Sequence, residues 1–250
     1  MSIEVIIGLL LLGVFVGVIN IVSAGGSLIS LPLLIFFGLP SATANGTNRI
    51  GIIVQNITAT ITFAKEKRVF WKLSFELAIP TVLGSFIGAF YAITLSDEVF
   101  NRILAVVMVS VLLLMIVKPH ERFQREHVQM GHKQTILLFI SFMCIGFYGG
   151  FIQAGVGFLI IAFLTVFTKN LRLSDMHSIK TVVITIYLLL STVIFIKNGH
   201  VQWGYAFVLA IGSALGGWLG STFAMKLPEK ALQYFLYAVI ALMSLRLLFF

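Results

Sequence analysis

The chain has 250 residues, of which 59% are apolar and only 10% charged, where a soluble domain carries about 25% charged residues. That shortage, with a mean hydropathy of +1.06, excludes a water-soluble globule and makes lipid the solvent. The formal charge of +8 does not point to nucleic acid, because the basic residues gather in short loops, Lys65 to Lys72 and Lys118 to Lys133, as they do on the cytoplasmic side of membrane proteins. The fold class that follows is an all-α polytopic membrane protein.

In chain order, the first apolar run is Ile3–Val22. Its only charge is Glu4. It lacks the basic start of a signal peptide and is longer than a signal core, so it reads as a retained transmembrane helix. Seven more runs reach the length of about 20 residues that a span needs: Ala44–Ala64, Leu73–Thr94, Val99–Val117, Gln134–Ile152, Ser174–Ile196, Gly204–Met225 and Ala231–Phe250. Two shorter pieces, Leu28–Phe37 and Phe158–Phe167, would make roughly 15 Å of helix each, half a membrane. Half-length segments are tolerated only where protein or a wet cavity surrounds their ends. The single cysteine, Cys144, lies in an apolar run and cannot form an intrachain disulfide.

The chain repeats itself at an offset of 132 residues. Phe15, Gly17 and Gly25 fall on Phe147, Gly149 and Gly157, and Val69 and Trp71 on Val201 and Trp203. Gly84, Gly88, Ala92 and Leu95 fall on Gly216, Gly220, Ala224 and Leu227. The expected organisation is therefore two homologous helical repeats, residues 1–117 and 134–250, joined by a basic cytoplasmic linker, 118–133. Each repeat has about four long spans and one half-length segment. If the half-segments carry the chain across, the repeats are inverted; if they dip and return, the repeats are parallel. Inversion is the working expectation. Transporters built from repeats place their site at the repeat interface, lined by broken helices.

The polar residues are concentrated beside those half-segments. Arg49 follows the breaker Gly38-Leu39-Pro40, in company with Asn45, Thr47 and Asn48. An arginine deep in a membrane is costly. It either snorkels to the interface or, with these neighbours at a helix start, forms a set of donors suited to an anion. The repeat places Lys180 opposite Asn48, and Thr181 opposite Arg49. Two cationic helix starts facing one cavity would hold a small anion from both sides. Asn20 and Gln153 precede the two half-segments and read as cavity amides, since a lipid-facing amide is costly. His177 and Asp175 are candidates for proton movement. The glycine spacing at Gly212, Gly216 and Gly220 reads as close helix packing. His120, Glu126, His127 and His132 lack metal-site spacing, and no nucleotide-binding or nucleophile motif is present. Neither a catalytic residue nor a cofactor is expected.

The motifs AGGSLISLPLL, GLPSATANGTNR and VFWKLSFELAIPTVLGSFIGA, with GGFIQAGVGFLI, DMHSIKT and GHVQWGYAFVLAIGSALGGWLGS in the second half, resemble the TauE/SafE, or sulfite exporter, family of membrane transporters over nearly the whole chain. The resemblance implies export of small sulfur-containing anions, such as sulfite or organosulfonates, coupled to the proton-motive force, in the inner cell membrane. By motif position it carries over Asn45, Thr47, Asn48, Arg49 and Lys180 as site members. His177 stands where the family motif usually has Asn. The expected partners are the anion, the bilayer and a second copy of the chain. Two other readings stay open: a membrane anchor for an enzyme of sulfur metabolism, and an importer of the same class of anion.

Overall fold

The computed structural model describes residues 1–117, 132–168, 171–223 and 229–249. Most of the basic linker lies outside these residues. The described chain forms ten helices: α1 Ile3–Val22, α2 Ser27–Phe36, α3 Ser41–Lys65, α4 Trp71–Thr94, α5 Asp97–Val117, α6 His132–Phe151, α7 Val156–Phe167, α8 Leu173–Lys197, α9 Trp203–Phe223 and α10 Glu229–Phe249. Five are long and apolar enough to cross a membrane: α1, α4, α5, α8 and α9. The eight long runs read from the sequence all became helices. Of these, α3 is long enough but too polar to meet that criterion, because Asn45, Thr47, Asn48, Arg49, Gln55 and Asn56 sit in it. In α6 and α10 the apolar stretches among the described residues are shorter, Thr135–Phe151 and Tyr234–Leu247.

Local chemistry explains the breaks. The chain leaves α1 through Ser23, Ala24 and Gly25, with Ala24 at φ 57°, so the helix ladder stops before the second short helix can start. Gln153 and Gly155 take φ 69° and 76° before α7, and Gly155 is the residue that tolerates such a value without strain. Pro40 precedes the first turn of α3, where its fixed φ and missing N–H do no harm.

Close glycine contacts give the helix directions. A Cβ on Gly17 would come within 2.8 Å of the Gly216 backbone, while Gly13 meets Leu209 and Gly220 meets Val18 and Ile21. Residue numbers rise together, so α1 and α9 are parallel. The same holds for α4 and α6, where Gly84 meets Met143 and Gly88 meets Phe147 and Phe151. It holds again for α3 and α9, where Gly51 meets Leu209 and Gly217 meets Gln55. In contrast, Thr60 of α3 bonds Thr181 of α8, and Arg49 bonds Ser191. Numbers run against each other there, so α3 and α8 are antiparallel. With α1 and α3 pointing the same way, α2 must carry the chain back between them, and α7 does so between α6 and α8.

At the 132-residue offset the bounds of two long helices coincide, Ser41–Lys65 with Leu173–Lys197 and Asp97–Val117 with Glu229–Phe249, while α6 and α7 start three residues before the positions equivalent to the starts of α1 and α2. Contacts also pair off across the halves, α1 with α9 as α6 with α4, and α3 with α9 as α8 with α4. The faces of α4 and α9 turned away from this packing expose Phe75, Ile79, Phe86, Phe90, Phe207, Ile211 and Trp218. That apolar exterior is what lipid requires and water forbids. Helices α3 and α8 pack against each other, and they carry just over half of the buried polar side chains among the described residues.

Candidate anion-binding site

The site grows from α3 and α8. Arg49 is fully buried, at 0% exposure, and Lys180 is at 1%. Neither snorkels. The Arg49 guanidinium donates to Ser191 Oγ at 3.2 Å and to the carbonyls of Gly149 and Gly150 at the end of α6. It also lies over the Phe195 ring, 4.3 Å from its centre, a favourable cation–π position. Lys180 Nζ donates to the Asn20 carbonyl at the end of α1, 2.8 Å away, and lies 3.3 Å from His177 Nδ1. Each cation thus reaches from one half into the broken first helix of the other.

Neither cation has a carboxylate partner among the described residues, whose ion pairs are the exposed Arg68–Glu66 and Arg102–Glu98. Lys72 and Glu76 make no ion pair among them. An unpaired buried charge costs several kcal/mol, and this chain buries two of one sign. Carbonyls and hydroxyls offset part of that cost. They supply no countercharge.

Between the two cations lies a layer of neutral polar groups. Asn20 Nδ2 donates to Gln55 Oε1 at 3.4 Å, and Tyr187 OH donates to Gln153 Oε1. Gln55 and Tyr187 are equivalent at the 132-residue offset. Ser27 bridges the two chain breaks, donating to the Gln153 carbonyl and accepting from the Gly155 N–H at 3.0 Å. Several buried polar atoms here have no hydrogen-bond partner among the described residues: Arg49 Nε, Asn48 Nδ2, Asn45 Oδ1, Thr192 Oγ1, Gln55 Nε2 and Asn56 Oδ1. Buried donors are rarely left so in a finished protein.

Of the residues singled out in the sequence, Asn20, Gln153, Asn48, Arg49, His177, Lys180 and Thr181 are all buried along this interface. Asn45 is buried too, and its Nδ2 donates to the Phe151 carbonyl at 2.7 Å. Thr47 instead accepts the Gln202 N–H at 2.9 Å and pins α3 to the start of α9. Asp175 accepts the Arg172 N–H at 3.0 Å and caps α8. Arg49 and Lys180 share no hydrogen-bond partner. The Arg49–Ser191 level and the Thr60–Thr181 level are separated by ten residues of α8 and eleven of α3, on the order of 15 Å of helix. Reading the sequence missed Gln55, Tyr187, Ser191 and Thr192. The repeat register, which sets Gln55 on Tyr187, was the signal that could have found the first two. No group of three or more His, Cys, Asp or Glu side chains able to hold a metal occurs among the described residues.

A helical bundle with a lipid-compatible exterior and five helices able to span a bilayer defines a multi-pass membrane protein, and its family makes it a transporter. The chain belongs to the sulfite exporter TauE/SafE family, whose model matches residues 9–247. It is 29% identical over 240 residues to the probable membrane transporter protein YfcA of Escherichia coli K12, covering 93% of this chain and 86% of that protein. It is 25% identical over 238 residues to the probable membrane transporter protein ORF9 of Sinorhizobium sp, covering 93% and 88%. It is 24% identical over 266 residues to the probable membrane transporter protein YunE of Bacillus subtilis, covering 96% of each. No solved structure matches.

Proposed function

We propose that this transporter exports small sulfur-containing anions, sulfite or an organosulfonate, in a cycle coupled to the proton-motive force. The observation that carries the anion part is the pair of buried cations, Arg49 and Lys180, with no carboxylate partner among the described residues. A guanidinium presents planar, paired donors that suit an oxyanion. The family name supplies the sulfur chemistry. The halves form an inverted repeat: α3 and α8 cross antiparallel, and rocking one half against the other exposes the interface to each side in turn.

The same directions place the Lys65–Lys72 loop, the end of α5 and the starts of α6 and α8 on one face. The Asp97–Glu98 turn lies on the other. The excess of Lys and Arg on the first face assigns it to the cytoplasm of a cell membrane. The test is flux of radiolabelled sulfite, taurine and sulfoacetate from proteoliposomes holding the purified protein, with and without a pH gradient. Gradient-stimulated efflux of at least one of these, abolished in Arg49→Gln, is expected. Equal flux in the variant and the native chain would overturn the assignment.

A further inference from the structure

Arg49 and the neighbour of Lys180, Thr181, bond across the α3–α8 interface at two different levels. A small oxyanion accepts hydrogen bonds of about 2.9 Å from groups around it. It cannot touch both the Arg49–Ser191 level and the Thr60–Thr181 level, ten or eleven residues apart. The groups at each level differ from those at the centre. Beside Arg49, the unpartnered atoms are Arg49 Nε, Asn48 Nδ2 and Asn45 Oδ1 on α3 and Thr192 Oγ1 on the facing stretch of α8. Three of these four groups can donate. Around Lys180, the ammonium rests on the carbonyl of Asn20, and Ser23, three residues on, has an unpartnered buried hydroxyl. Between the levels, the Asn20–Gln55 and Tyr187–Gln153 hydrogen bonds close the way with neutral groups. Both bonds involve residues next to the chain breaks, where Ala24, Gln153 and Gly155 hold positive φ.

We propose that the anion occupies two stations in series along the α3–α8 interface, one at Arg49 with Asn48 and Thr192, the other at Lys180 with Ser23. The central polar layer is the barrier between them. This rests on the anion-transport reading above. The two stations lie on opposite sides of Gln55 on α3 and of Tyr187 on α8, residues equivalent at the 132-residue offset. Each is therefore nearer one face of the membrane, and the anion is handed from one cation to the other when the breaks shift and the central hydrogen bonds open. Thr192 thereby becomes a ligand, and Gln55 and Tyr187 become gating residues.

The test is equilibrium binding of radiolabelled sulfite to the detergent-solubilised full-length chain, followed by diffraction from crystals soaked with selenite, a pyramidal oxyanion with an anomalous signal. The native chain is expected to bind two sulfites, and selenite peaks are expected at both levels. Arg49→Gln and Lys180→Gln are each expected to keep one site and lose the other. Thr192→Val is expected to weaken the Arg49 station alone, at least tenfold. Gln55→Ala is expected to keep both sites while changing flux. A single sulfite per native chain, with one selenite peak, overturns the two-station scheme and leaves anion transport standing. No sulfite or selenite bound at all overturns both. The native stoichiometry decides the matter even if a charge-removing variant fails to fold.

Discussion

Gly150→Ala is the most direct probe of how packing serves the site. Gly150 sits on α6 against α4, and its own carbonyl accepts a hydrogen bond from Arg49. A Cβ added there would lie 2.1 Å from the Ser85 carbonyl oxygen, with the Cα and carbonyl carbon of Ser85 at 2.6 and 2.7 Å. Those atoms are backbone and cannot swing aside. Ordinary contact begins at 3.4 Å, so the seam must open by about 1.3 Å along that line. Overpacking of this kind costs about 1–3 kcal/mol. Displacing the carbonyl also weakens a hydrogen bond to a charged group, worth about 1.5–3 kcal/mol. The two effects overlap, and a net loss on the order of 3 kcal/mol is expected. The comparison is Gly8→Ala, where an added Cβ meets nothing within 4 Å. It should match the native chain or exceed it by about 0.5–1 kcal/mol, the usual gain of Ala over Gly in a helix. Thermal unfolding of the three proteins in one detergent gives the order. Gly150→Ala unfolding at or above the temperature of Gly8→Ala would refute the account of the seam and of its link to Arg49.

The remaining predictions concern the site, the helix ends and the topology. Lys180→Gln should insert and purify like the native chain yet lose sulfite efflux from proteoliposomes, because it removes a buried charge without changing the lipid-facing surface. Tyr187→Phe removes the hydrogen bond to Gln153 and leaves a buried amide oxygen unpaired, costing about 1–3 kcal/mol in thermal or denaturant unfolding. Asp97→Ala removes the carboxylate that accepts the Ser41 N–H at 2.7 Å at the start of α3, and should cost about 1 kcal/mol in the same assay. Glu98→Gln breaks only an exposed pair, 72% and 74% exposed at Arg102 and Glu98, and should change stability by less than about 1 kcal/mol. Single cysteines placed at Lys67 and at Gly199, in a chain with Cys144 replaced, should label from opposite faces of the membrane. Labelling of both from one face would contradict the antiparallel arrangement of α3 and α8.

The sequence by itself determined the solvent, the helices and the residue types of the core. A chain 59% apolar and 10% charged can satisfy its backbone in lipid only as helices or a closed barrel. The runs were long enough that helix positions followed to within a few residues, and the glycines and Pro40 marked the stops. The cluster Asn45, Thr47, Asn48 and Arg49 was legible because polar residues inside a lipid-solvated chain need a reason. What the linear pattern could not carry was which side chains meet. Nothing in the pattern around Thr47 tells that its hydroxyl accepts the Gln202 N–H at the start of α9. Arg49 and Lys180 looked like one clamp. Their levels are set by the antiparallel crossing of α3 and α8, which no local periodicity records. The same crossing brings Gln55 and Tyr187 to the centre, where each bonds an amide beside a broken helix. Hydrophobicity is a property of each residue and survives in the sequence. The distance between two charges 131 positions apart is a property of the packing, and only the tertiary structure decided it.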